Sequence, residues 1–333
     1  MDRRYYLTRS ASVLGVVSLA GCLGSLEFGD RNGTRDDRSD DSTSDESSDS
    51  DREADREIRR AVGQLNKAGL ALHAVEERLE DPETIEFDAD EPRTRLETAR
   101  DHLETAEEDA TDARLADVEE LRAFADVLER LVDVTVAITE IEFAVDDVQT
   151  AIDERRFDEA RDSLRTRQET VVDARDRLDP VHETIETLDG ERLESLDVVD
   201  LEPIADGASA LDRLLDALAT LFEAYDAIVT GNERLVSGQA DADDREYETA
   251  RGEFEAARDA FADATETLAS GGDVPSSLAN QIETARCRSQ TLEEAAVRLV
   301  DSADAALDGD VSSARDLEDE ATSLIDDADA CGD

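Results

Sequence analysis

The chain has 333 residues, with 89 Asp and Glu against 35 Lys and Arg and a formal net charge of -54. That balance argues against a nucleic-acid partner, because it offers no basic patch to neutralise phosphates. Hydrophobic residues still make up 39% of the chain, and beyond about residue 55 they are regularly spaced, which a wholly disordered acidic chain does not explain.

The N-terminus reads MDRRYYLTRSASVLGVVSLAGC. Arg3, Arg4 and Leu7, with Tyr6 as the aromatic, resemble the twin-arginine export signal, whose usual form is Ser/Thr-Arg-Arg-x-Phe-Leu-Lys. Asp2 and Thr8 depart from that form. The apolar run from Ala11 to Gly21 is shorter than the roughly 20 residues that span a bilayer. Leu19, Ala20, Gly21 and Cys22 resemble a lipobox. This resemblance implies cleavage before Cys22 and a lipid on the new N-terminus, which would hold the chain to a membrane. Residues 1–21 are therefore expected to be a signal peptide. Residues 22–52 are polar, acidic and without periodicity, and are expected to form a disordered tether with a reach of roughly 30 Å. Asn32-Gly33-Thr34 is the one N-glycosylation sequon in the chain, and it lies in this tether.

From about residue 53 onward the apolar pattern is helical, with no sustained strand alternation, and predicts an all-α fold. Phe124, Val127, Leu131, Val134, Ile138, Ile141, Val145, Val148 and Ile152 alternate steps of three and four, a heptad seam. A second seam runs from Ile204 to Val236 and includes Asn232, a polar group of the kind that fixes register. A third runs from Leu278 to Ala306. Pro82 and Pro92 bracket a loop, Pro180 and Gly190 interrupt the middle, and Gly271 to Pro275 is a strong stop. Weaker turns are expected near Arg156, at SGQADAD and at Asp308 to Asp310. These breakers predict four long antiparallel helical hairpins, roughly 53–110, 112–189, 203–270 and 276–330, forming one 53–330 domain as a bundle or a short solenoid.

The second arms of these hairpins are alike: Leu96-Glu-Thr-Ala99-Arg100, Phe157-Asp-Glu-Ala160-Arg161, Tyr247-Glu-Thr-Ala250-Arg251 and Val311-Ser-Ser-Ala314-Arg315. A bulky residue, a small one three later and a bulky one four later lie on one helical face, where small residues admit a close neighbour. This resembles the second helix of a tetratricopeptide repeat, but the spacing is irregular and far longer than that family's, and Leu317 is one place early. The alternative is the coincidence expected in an Ala- and Arg-rich helical chain.

Chemistry-bearing residues are few. His73 and Glu76 share a helical face, and the pair resembles weakly the His-x-x-Glu motif of imelysin-like, periplasmic iron-handling proteins. The glycine before and the aromatics after that motif are missing. His102 on the opposite arm would complete a transition-metal site with His73 and Glu76; the plainer reading is histidines beside a seam on a wet surface. There is no Gly-x-Ser-x-Gly, phosphate-cradling glycine loop, Cys-x-x-Cys or His-Glu-x-x-His motif, so neither catalysis nor a cofactor is expected. With Cys22 lipidated, Cys287 and Cys331 remain as either a disulfide or two free thiols. They lie at similar heights on the arms of the last hairpin, although Cys287 falls on the polar face of its helix.

The Asp and Glu excess, with Lys67 the one lysine, resembles proteins of extremely halophilic archaea, whose acidic surfaces are adapted to concentrated salt. Taken together, these features lead us to expect a non-enzymatic scaffold or protein-interaction module. It would sit on the outer face of the cytoplasmic membrane, bound to a surface protein through a helical face. The alternative is a metal- or solute-binding surface lipoprotein that uses the first hairpin.

Overall fold

A computed structural model describes residues 43–76, 87–141, 144–198, 200–272 and 274–331. The signal, the lipobox, Cys22, Asn32 and most of the expected tether lie outside these residues. Ten helices occur among the described residues, with no strand: α1 Thr43–Glu76, α2 Asp90–Asp109, α3 Asp112–Glu140, α4 Ala144–Asp153, α5 Phe157–Thr187, α6 Gly190–Ser195, α7 Leu201–Asp243, α8 Tyr247–Ser270, α9 Ser276–Leu307 and α10 Val311–Asp329. The protein is all-α. Long antiparallel arms pair as α1 with α2, α3 and α4 with α5, α7 with α8, and α9 with α10. Successive hairpins meet through α2 on α3, α5 on α7 and α8 on α9, and α1 also touches α7, making the array a bundle.

The three seams become buried stripes. Phe124, Leu128 and Leu131 on α3, Leu215 and Phe222 on α7, and Leu292 and Leu299 on α9 are all buried. α7 buries more than its expected seam. Leu214, Leu221 and Ile228 are buried beside Leu211, Leu218 and Tyr225, because this helix has neighbours on more than one side.

Four helices end in the same way. Arg155, Asp197, Arg245 and Gly309 have positive φ, at 59°, 60°, 66° and 80°. In each case the next N–H reaches back five residues: Arg156 to Ala151, Val198 to Leu193, Glu246 to Asp241 and Asp310 to Ala305. The left-handed residue itself reaches back three. This is the Schellman closure, which satisfies carbonyls left open at a helix end. After three of these turns α5, α8 and α10 begin on Phe157, Tyr247 and Val311, and bury Ala160, Ala250 and Ala314. The likeness among those three second arms therefore reflects a shared turn. Leu96 does not share it, since α2 begins at Asp90.

Several boundaries differ from expectation. α1 starts at Thr43, so residues 43–52 are helical rather than part of a tether. Pro92 and Pro203 sit in the first turns of α2 and α7, where a missing N–H costs nothing, and so begin arms rather than break them. Pro180 lies inside α5, which continues to Thr187. The first seam divides between α3 and α4 without a Gly or Pro to mark the break. The SGQADAD segment stays helical to Asp243, and the turn follows it.

Asn232 does not bridge helices: its side-chain amide donates to the Ile228 carbonyl of its own helix, at 2.9 Å. The α7–α8 register is instead set by two glycines. A Cβ on Gly231 would lie 2.5 Å from the Phe261 ring, and one on Gly238 would lie 2.5 Å from the Phe254 ring. Both rings are buried, and the two seats run antiparallel one heptad apart, so each phenylalanine enters a notch that only glycine leaves open.

Candidate functional site

His102 on α2 is held by α1. Its Nδ1 lies 2.7 Å from Oε2 of Glu57, a carboxylate only 5% exposed, and the other Glu57 oxygen accepts from Arg60. A buried carboxylate is tolerable when it is paired in this way. Further along the same two arms, Arg95 donates to Gln64. Both pairs share one register, residue 57 with 102 and residue 64 with 95, in which residue 73 does not stand opposite 102. His73 consequently stands about sixteen residues up α1 from the Glu57–His102 pair, roughly 24 Å along the helix axis. The structure therefore does not bring His73 and His102 together. His73 is exposed near the end of α1; Glu76 is its last residue, with a side chain outside those described. Among the described residues no group of three His, Cys, Asp or Glu is placed to hold a metal ion. The third histidine, His182 on α5, has Nε2 2.6 Å from Oδ2 of Asp212 on α7, an ion-pair distance without hydrogen-bond alignment.

A second polar cluster joins three elements. Asp117 is buried on α3 and accepts from Arg114 of its own helix and from Arg192 of α6, at 2.8 and 2.9 Å. Arg114 also reaches Asp55 on α1, at 2.7 Å. These are structural ties, since every charged group in them already has a partner.

Cys287 and Cys331 are joined by a disulfide, with alpha carbons 6.0 Å apart. Beside it Arg288, only 8% exposed, reaches Asp329 of α10 and Asp153 of α4, at 3.1 and 3.2 Å. The sequence places the cysteines at similar heights but gives no sign that Arg288, a charged residue within the span of the third seam, is buried.

The arginine that follows the small residue of each second arm has a recurrent role. Arg100 donates to Asp126 and Glu129 on α3, at 2.7 Å each; Arg161 donates to Glu233 on α7; Arg251 donates to Asp304 on α9, at 3.2 Å. Each ties its hairpin to the next. Glu129 is held below the usual carboxylate range by the hydrogen bond from Arg100. Arg315 on α10 makes no such bond to any described residue.

Arg315 instead lines a cleft of about 480 Å³ between the α7–α8 turn and α10. Tyr247, Phe254, Leu299 and Ile325 give it apolar walls. Arg245, the left-handed residue of the α7–α8 turn, lines it too. The second-arm motifs supply Tyr247, Val311, Ala314 and Arg315, but no motif marks the cleft as a whole, because its residues come from four helices and a turn. No helix among the described residues is long and apolar enough to cross a membrane. No family model, curated protein or solved structure matches the chain.

Proposed function

We propose that the chain is a membrane-anchored, extracytoplasmic helical interaction module of a salt-adapted organism. In this reading it is exported by the twin-arginine route, cut before Cys22 and held at the outer membrane face by lipid on that residue. The observation that carries the reading is the order Arg3-Arg4, short apolar run, Leu19-Ala20-Gly21-Cys22 at the start of the chain. The body behind this address is a stack of long hairpins, an architecture that offers extended helical faces to a partner. The role assigned is non-enzymatic. The alternative metal site in the first hairpin loses support because His102 is engaged by Glu57.

The test is fractionation and precursor processing in the native host. Cys22→Ser should release the protein or leave it uncut, and replacing Arg3 and Arg4 by lysine should trap precursor in the cytoplasm. Unchanged processing and membrane association in both variants would refute the address.

A further inference from the structure

The geometry points to the cleft between the α7–α8 turn and α10 as a binding site for a short apolar peptide with both termini free. Four charged side chains line it: Arg245, Arg315, Asp243 and Glu318. None has an ion-pair partner among the described residues, although they surround one cavity. Among the second-arm arginines, Arg100, Arg161 and Arg251 hold carboxylates and Arg315 does not. That internal precedent identifies what Arg315 is placed to take. Two cations and two anions on one lining match a zwitterion, and not a polyanion or a simple cation. Tyr247, Phe254, Leu299 and Ile325 provide walls for an apolar body between the charged ends. The volume, about 480 Å³, lies within the range of small-ligand sites.

In this assignment the peptide carboxylate accepts from Arg315 and Arg245, and its ammonium donates to Asp243 and Glu318. The site does not depend on the anchoring proposed above. It lies in the last two hairpins rather than the first.

Leucyl-leucine titrated calorimetrically into the purified full chain in molar salt tests it. Saturable one-to-one binding is expected. Leucyl-leucinamide and N-acetyl-leucyl-leucine should each bind about tenfold more weakly or worse, the usual loss of a charge-assisted hydrogen bond. Arg315→Gln and Arg245→Gly should weaken the free dipeptide to a similar degree. Arg245→Gly retains the left-handed turn, and unchanged helical circular dichroism would confirm its fold, so it carries the test alone if Arg315→Gln melts early. No saturable binding by the unaltered chain would overturn the assignment. Equal affinity for the free and amidated dipeptides, or full affinity in Arg245→Gly, would do so as well.

Discussion

Single residues in this bundle act through the space their helix partners leave them. Gly→Ala in a helix interior ordinarily stabilises by about 0.5–1 kcal/mol. Gly252 on α8 faces nothing within 4 Å, so Gly252→Ala should raise stability by about that amount. Gly231→Ala and Gly238→Ala should have the opposite sign, because each new methyl meets a buried phenylalanine ring that cannot yield; a loss of about 1–3 kcal/mol is expected. Urea denaturation of the three variants checks the contrast, and stabilisation of all three would show that the rings are free to move. Turn residues follow similar logic. Asp310 caps α10 by accepting from the Ser313 N–H and hydroxyl, which holds its carboxyl below the ordinary range. For a depressed carboxyl the sign is fixed: the cap stabilises fully above the unfolded pKa and is lost as pH falls through the lower folded value. The unaltered chain should therefore melt above Asp310→Ala at pH 7, and the gap should close as acid carries the pH through the lowered folded value of the Asp310 carboxyl. A constant gap across that range would mean the charge is irrelevant to the cap.

At the scale of elements, α10 is the weakest arm. It packs on α9, and along its length only Ala314, Ala321 and Ala328 are buried. Its ends are secured differently. Near the turn, Ser302 of α9 donates to the Ala314 carbonyl; at the far end stand the disulfide and the Arg288–Asp329 pair. The disulfide closes a separation of 44 residues, a constraint worth about 4 kcal/mol in the chain-entropy model. Reduction should therefore loosen α10 before the rest of the bundle. Hydrogen exchange followed by mass spectrometry should show faster exchange across residues 311–329 in the reduced chain, with α7 and α8 unchanged. Equal protection of α10 with and without reductant would contradict this. The first hairpin is different. There the Glu57–His102 and Gln64–Arg95 contacts set the register, and the proline at position 92 starts α2 instead of ending a loop.

Across the whole molecule, charge governs how the bundle responds to its solvent. A net charge of -54 places mutual repulsion across every exposed face of the helical stack. The ion pairs between hairpins use a small share of the described carboxylates, and many of the others are exposed. Screening shortens the reach of that repulsion from about 10 Å at 0.1 M salt to about 3 Å at 1 M. Helical circular dichroism and the melting temperature should therefore fall as molar salt is diluted away. Full helicity and an unchanged melting temperature at low salt would show that core packing alone outweighs the repulsion.

Fold class, the pairing of arms and the first residues of α5, α8 and α10 were legible in the sequence. Each depends on local properties: the period of apolar residues along a helix, and the breakers that end it. So was the similar height of Cys287 and Cys331, since rise per residue is constant. What decided the rest was contact between helices. Two glycines rather than Asn232 set the α7–α8 register, because whether a position needs glycine depends on the ring across from it. His102 met Glu57 rather than His73, because the register between α1 and α2 pairs residue 57 with 102 and residue 64 with 95. The division between α3 and α4 left no mark in residue type. The cleft was invisible for the same reason. Arg245 and Arg315 lie seventy residues apart in the chain, and their lack of carboxylate partners, in a sequence crowded with carboxylates, is a property of the packed structure alone.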